Sequence, residues 1–321
     1  MEYRQLGRTN LSVSLLGLGS GGANRLGQAR GLGAAETQHF VRHALDLGIN
    51  FFDTAPGYGE SESLLGDALV GVPRDSYVLC TKFSMRKSSA GAARASLESS
   101  LRKLRTDHVD VVYFHGLEPD MYDADIETFL PELQQAQHAG LTRFIGAAER
   151  YETDHAHQAL ERALVEDLFD VVMIGHNLIS PGGLRSVMPL AQHNHVGVVV
   201  MCAVRKIIVT PDMLQETIRQ WKDAGALAED AVPDEAPLDW VLGPGVDSLA
   251  DAAYRFAAES DAVSTVLTGT ANLQHLEENV RSIVAPPLPG PISQRLRDTF
   301  VPVNKSVLLH SFRPRGPQAD R

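Results

Sequence analysis

Cysteine is scarce: Cys80 and Cys202 are the only two in 321 residues. They stand far apart, which excludes a disulfide framework and any cysteine-based zinc motif, and leaves two reduced thiols as the simplest reading. Basic charge is in deficit as well, with 29 Lys and Arg against 40 Asp and Glu and a net charge of -11. Neither nucleic acid nor an anionic membrane is attracted by such a balance, since both require a basic surface. No apolar run approaches the roughly 18 residues of a membrane span. Met1-Glu2-Tyr3-Arg4-Gln5 lacks the basic start and apolar core of a secretion signal. A cytoplasmic protein is the expectation.

What the chain does have is alternation. Short apolar runs at 15–19, 49–53, 77–82, 109–115, 143–147, 170–174, 196–201 and 263–267 read as strands. Amphipathic stretches at 36–47, 61–69, 92–104, 126–138, 154–166, 184–192, 248–259 and 273–283 read as helices. Strictly alternating strands and helices imply a parallel sheet, and eight units at this length favour a closed α/β, (β/α)8 TIM barrel. Residues 1–312 are expected to form this single domain, with 313–321 a disordered tail. Residues 1–13 are read as a hairpin across the barrel bottom. Residues 204–247, after the seventh strand, form a long insertion that could be a lid or an inert surface loop. Residues 285–291, rich in proline, read as a rigid connector.

The segment Gly17-Leu18-Gly19-Ser20-Gly21-Gly22 satisfies the dinucleotide fingerprint G-x-G-x-x-G. The fingerprint also needs a helix at once and an acidic strand end about 20 residues on. Residues 23–33 hold three more glycines and little helical pattern, and Asp53 comes too late. The Rossmann reading is rejected on those grounds.

Three strands instead end in a polar residue: Asp53, Lys82 and His115. Because side chains alternate along a strand, Phe51 shares a face with Asp53, Cys80 with Lys82, and Tyr113 with His115. All three polar groups can therefore meet at the carboxyl end of one barrel, where barrel enzymes keep their sites. Tyr58, in the following loop, is within reach. A tyrosine beside a lysine cation has its ionised form favoured, so its pKa is expected to fall. It could then exchange a proton with a carbonyl or alcohol oxygen. An aspartate would hold the lysine, and a histidine would orient the substrate oxygen. Taken singly, Asp53 could cap a helix, Tyr58 could sit in a plain tight turn, Lys82 could be a surface lysine and His115 a core histidine. The pairs His155-x-His157 and His193-x-His195 do not suggest a metal: the first is read on a helix, where residues two apart diverge, and the second at the far end of the barrel.

The stretch Phe52-Asp53-Thr54-Ala55-Pro56-Gly57-Tyr58-Gly59-Glu60-Ser61-Glu62 resembles the aldo-keto reductase signature. So do Thr81-Lys82, the run from Leu97 to His115, and Leu6-Gly7-Arg8-Thr9 with Gly17-Leu18-Gly19. The likeness runs from about residue 2 to about 284. It implies an NAD(P)-dependent oxidoreductase that moves hydride between a nicotinamide cofactor and an aldehyde or ketone, or the matching alcohol or sugar hemiacetal. Asp53, Tyr58, Lys82 and His115 would be its catalytic residues, Tyr58 the acid/base, with no metal and a small-molecule substrate. Leu267-Thr268-Gly269-Thr270 and Leu276-Glu277-Glu278-Asn279 resemble the family's phosphate and adenine segment, which assigns Gly269, Thr270, Glu278 and Asn279 to the cofactor, together with Gly19 and Asp53. His275 stands where many members carry an arginine for the 2′-phosphate. NADP(H) and NAD(H) are thus both open. The family's nicotinamide contacts are missing: Ala148, Glu149 and Met173 occupy their positions, and Cys202-Ala203-Val204-Arg205 replaces an aromatic stacker. His176 and Asn177 are the candidates to take over. Some of these departures resemble a branch of L-galactose dehydrogenase-like sugar dehydrogenases. A cofactor-sensing binding protein on the same fold is the alternative. Oligomeric state is not legible.

Overall fold

The computed structural model describes residues 1–86 and 88–303. The expected domain end at 312 and tail 313–321 lie outside them. Eight strands close into a parallel barrel: β3 (Leu16–Gly19), β4 (Phe51–Asp53), β5 (Val78–Phe83), β6 (Val109–Leu117), β7 (Thr142–Glu149), β8 (Val171–Gly175), β9 (Gly197–Met201) and β10 (Val263–Thr268). They follow one another in chain order, and β10 returns to pair with β3. The antiparallel hairpin of β1 (Tyr3–Gln5) and β2 (Ser12–Ser14) precedes them, as expected. It inserts Leu6, Leu11 and Val13 into the barrel's lower core beside Phe51, Val111 and Val199.

The helices are α1 (Ala34–Asp46), α2 (Ser61–Leu69), α3 (Ala92–Leu104), α4 (Tyr122–His138), α5 (Gln158–Val165), α6 (Val187–His193), α7 (Lys206–Val209), α8 (Pro211–Asp223), α9 (Leu249–Ala258), α10 (Leu273–Val284) and α11 (Gly290–Phe300). Their apolar faces meet the outward side chains of the strands in one large core that includes Phe52, Leu79, Phe114, Ile145 and Ile174. The inward side chains, Phe51, Cys80, Tyr113, Phe144, Ala148, Met173 and Met201 among them, form a separate inner cluster. This division into two sets is the period of two along each strand.

Two expectations need correction. The stretch after 285 is not only a connector: Pro291 opens α11, where proline's fixed φ suits the first helical turn. Leu296 and Phe300 of that helix are buried. Residues 154–157 are not helical. His157 has φ +58° and caps α5, and His155 lies in the turn before it. The long insertion folds as its own small core. Ile208, Leu214, Ile218 and Trp221 pack with Phe256, Leu296 and Phe300, and the Trp221 and Phe300 rings lie 6.3 Å apart. Trp221 thus ties the insertion to α11. Burying a side chain of that size stabilises by roughly 3 kcal/mol. Among the described residues, no helix is long and apolar enough to cross a membrane.

Candidate active site

Asp53 ends β4, Lys82 lies one residue before the end of β5, and His115 lies near the end of β6. All three face the barrel interior at its carboxyl mouth. The Lys82 ammonium donates to both Asp53 carboxylate oxygens at 2.5 Å and to the Thr54 carbonyl at 2.9 Å. Both side chains are almost fully buried. Burial works against the lysine's charge, but Asp53 and then Tyr58 outweigh it and hold Lys82 above its ordinary value. Lys82 Nζ stands 5.1 Å from the Tyr58 ring centre. The Tyr58 hydroxyl is 3.4 Å from His115 Nε2, and the two rings meet edge to face at 5.6 Å. The four residues therefore form one constellation.

The electrostatics correct one expectation. Lys82 does pull the Tyr58 hydroxyl down, but burial outweighs it, and the pKa lies above the usual tyrosine value. The Tyr58 hydroxyl therefore keeps its proton and is neutral. Burial, with Lys82 and Arg150 adding to it, lowers His115 to about 3, so this imidazole is neutral throughout the physiological range.

The loop carrying Tyr58 is held from two sides. The Ser61 hydroxyl donates to the Ser20 carbonyl at 2.8 Å. The Gln28 amide donates to the Tyr58 carbonyl at 3.2 Å and to Ser61 Oγ at 2.9 Å, while its oxygen accepts from the Glu60 N–H at 2.9 Å. Gly21 lies beneath the tyrosine: a Cβ there would come within 2.6 Å of the Tyr58 ring. Gly21 of the glycine-rich segment after β3 thus makes room for the tyrosine ring. The last acid of the signature, Glu62, is buried and accepts from the Thr81 hydroxyl at 2.8 Å, which ties α2 to the strand bearing Lys82.

The other side of the mouth departs from expectation. Ala148 faces inward, but Glu149 turns outward. One carboxylate oxygen accepts from the Gly175 N–H at 2.7 Å, and the other lies 2.8 Å from His157 Nδ1. His176 also turns outward, fully buried, and stacks on Phe256 with ring centres 5.4 Å apart. It is not brought to the site. Asn177 is fully engaged: its amide donates to the Cys202 carbonyl at 3.1 Å and to the Tyr151 hydroxyl at 3.4 Å, and its oxygen accepts from Ile179 N–H. Tyr151, which sequence reasoning missed, lies over Gly175, where a Cβ would come within 2.2 Å of the ring.

A nicotinamide dinucleotide fits one end of this arrangement. Gly269 and Thr270 form an open turn after β10 with nothing crowding Gly269. Asn272 caps α10 by accepting from the His275 N–H at 3.1 Å. A helix start behind an open glycine turn suits a phosphate group. Asn279 donates to Thr268 Oγ1 at 2.9 Å, and Glu278 is half-buried on the same helix. Gly19 ends β3 in register with Asp53. Ala148 and Met173 face inward in the inner cluster and offer no side-chain amide to a ligand at the mouth.

Residues 16–290 match the model of the Aldo/keto reductase family, and the chain belongs to that family. The L-galactose dehydrogenase of Arabidopsis thaliana is 30% identical over 292 residues, 88% of each chain. The D-threo-aldose 1-dehydrogenase of a Pseudomonas species is 28% identical over 219 residues, 58% of this chain and 65% of that one. An aldo-keto reductase of Bacillus halodurans in its holo form shares the fold, with a TM-score of 0.68 and 23% identity over 93% of this chain and 96% of that one. The protein is an NAD(P)-dependent oxidoreductase acting on a small molecule. These relatives give the cofactor-sensing alternative no support.

Proposed function

We propose that the chain interconverts a carbonyl compound and its alcohol, with Tyr58 as the acid/base. One observation carries the assignment: the Tyr58 hydroxyl lies 3.4 Å from a neutral His115, beside the buried Lys82–Asp53 pair. Bound reduced cofactor supplies the hydride to the carbonyl carbon. The substrate oxygen sits between Tyr58 and His115, and His115 Nε2 fixes its direction. Tyr58 gives its proton to that oxygen as negative charge develops there, and Lys82 stabilises the tyrosinate left behind. Asp53 keeps Lys82 charged and in place. The reverse sequence oxidises an alcohol or a sugar hemiacetal.

The relatives that act on L-galactose and on aldoses support a sugar-like substrate. Gly269, Thr270 and the first turn of α10 would hold the cofactor's phosphates, with Glu278 and Asn279 towards the adenine and Gly19 and Asp53 at the reacting end. His275 in place of an arginine removes a fixed cation from the 2′-phosphate position, so NAD(H) is accepted at least as well as NADP(H).

The test is Tyr58→Phe. Turnover of an aldose or small aldehyde should fall about 10³-fold, within the range of a lost general acid. Cofactor affinity, read by intrinsic fluorescence with NADH and NADPH, should stay within about twofold. Unchanged turnover would remove Tyr58 from the chemistry.

A further inference from the structure

The second wall carries a cation that the hydride-transfer reading does not use. Two arginines follow the carboxyl ends of β7 and β9, one next to Tyr151 in sequence and one next to it in space. Arg150 is paired: its guanidinium lies 3.0 Å from Glu118. Arg205 is not: its side chain makes no hydrogen bond or ion pair among the described residues. What holds it is the Tyr151 ring, whose centre lies 5.3 Å from the guanidinium carbon. Stacking of this kind fixes a guanidinium in place and uses none of its N–H donors.

The ring beneath places the cation at the mouth. Gly175 ends β8 in register with Met201, on the inward parity of Met173. A Cβ on Gly175 would come within 2.2 Å of Tyr151, so the tyrosine ring covers the inner face of the last residue of β8. Arg205, over that ring, is half-buried. Its backbone is set as well. Cys202 turns the chain out of β9 at φ +61°, a conformation uncommon for residues other than glycine, and its carbonyl accepts from the Asn177 amide at 3.1 Å. Arg205 then leads into α7, where its carbonyl accepts from the Ile208 N–H at 2.9 Å. Cys202 lies within electrostatic reach of both the Tyr58 hydroxyl and Arg205, which brings the cation into the neighbourhood of the constellation around Tyr58.

The surrounding charges leave Arg205 uncompensated. Lys82 is neutralised by Asp53. Glu149 is turned outward and held by His157 and the Gly175 N–H. Glu152, whose charge also reaches Cys202, is solvent-exposed and forms no ion pair among the described residues. A half-buried guanidinium with free donors beside the mouth matches a carboxylate, which it can take in two parallel N–H···O bonds. We propose that Arg205 is a specificity-determining residue that binds a carboxylate on the substrate, and so selects an acidic sugar or aldehyde over its neutral counterpart. This rests on the carbonyl–alcohol reading above and narrows its substrate class. A chain of net charge -11 repels anions at a distance, so such a substrate requires a fixed local cation.

The experiment compares matched pairs in the full chain: D-galacturonate against D-galactose with NAD+, and succinic semialdehyde against butanal with NADH. The acidic member should have the higher kcat/KM by about tenfold or more, the value of one charge-assisted contact. Arg205→Gln should remove that preference, with the loss falling on KM for the acidic member. Arg205→Lys, which keeps the charge but not the fork, should restore part of it. NADH affinity, read by fluorescence, should stay within about twofold in both variants. Succinate cannot react and gives a readout without turnover: it should bind saturably to the NADH complex and lose about tenfold in affinity in Arg205→Gln. If no member of either pair turns over while succinate binding depends on Arg205, the carbonyl–alcohol reading fails and the anion contact stands. The proposal is overturned if the unaltered protein shows no acidic preference, if Arg205→Gln leaves that preference in place, or if succinate binding is indifferent to the change. A loss of NADH affinity in Arg205→Gln overturns it too, since the guanidinium would then belong to the cofactor's diphosphate.

Discussion

Two walls face each other across the barrel mouth, built by the same alternation and turned to opposite uses. On one, β4, β5 and β6 aim their last polar residues inward, and Asp53, Lys82 and His115 meet around Tyr58. On the other, β7, β8 and β9 aim Ala148, Gly175 and Met201 inward, while Glu149 and His176 turn outward. A shift of one position along a strand separates a group that faces the mouth from one that faces the helices. The first wall carries a buried charge pair at the mouth, where the proposed function puts the chemistry. The second supplies space, and its polar groups hold the wall together from behind.

The largest effect should come from cutting the first wall at its base. Lys82→Met leaves Asp53 buried without a counter-ion, which costs about 3–5 kcal/mol. Turnover should fall at least about 10²-fold with it. Denaturant unfolding and steady-state kinetics on one preparation read both. A loss of activity without loss of stability would mean that the pair is more solvated than its burial indicates.

On the second wall, Glu149→Gln tests orientation. The amide can still accept from Gly175 N–H, but the charged partner of His157 is gone. Stability should fall by about 2–3 kcal/mol. Cofactor KM should change by less than about twofold, because the side chain faces away from the mouth. A large rise in KM with stability intact would place Glu149 on the nicotinamide, and the contrast between the walls would fail.

The first wall was legible in the sequence because its signal is local. Asp53, Lys82 and His115 each end an apolar strand on the inward parity, and Tyr58 and Glu62 sit in the same signature. The parity argument also applied to the second wall: if Ala148 faces in, Glu149 cannot. Resemblance, by contrast, places both residues at the nicotinamide, and the parity of β7 overrides it for Glu149. Other features depend on packing between distant segments and carry no periodic signal. Gln28 reaches Tyr58 from a glycine-rich loop that looked structureless. Helix α11 begins in a proline run that reads as a connector, and its apolar face makes sense only once Trp221 is opposite Phe300. The rise of the Tyr58 pKa came from burial, which spacing does not report.

Gln28 offers a smaller test within the first wall. Gln28→Ala removes the clamp on the Tyr58 loop without touching the reacting atoms. Stability should drop by about 1–2 kcal/mol. kcat should fall by about tenfold with cofactor affinity unchanged, since a small displacement of an acid group is costly in rate. Gln28→Glu, which keeps the acceptor for Glu60 N–H but loses the donor, should lie between. Equal kcat in all three proteins would leave Gln28 a loop anchor only.

The smallest effect separates the walls by pH. Burial, as the first cause, lowers both His115 and His176 to about 3 from an ordinary 6.5. Each ring therefore takes up a proton more readily in the unfolded chain. Almost nothing is lost above about pH 7.5, where both states are neutral. Between 6.5 and about 3 the unfolded state binds more protons, and stability falls with falling pH by up to about 1.4 kcal/mol per unit for each ring. His176→Leu keeps an apolar contact with Phe256 and should remove one ring's share of that slope, about 1.4 kcal/mol at pH 5.5, with turnover at pH 7 unchanged. The same slope in variant and parent would mean that His176 reaches water, and with it the mouth of the barrel. A ring buried on the outer face must reduce acid stability without entering the rate, whereas His115 enters both.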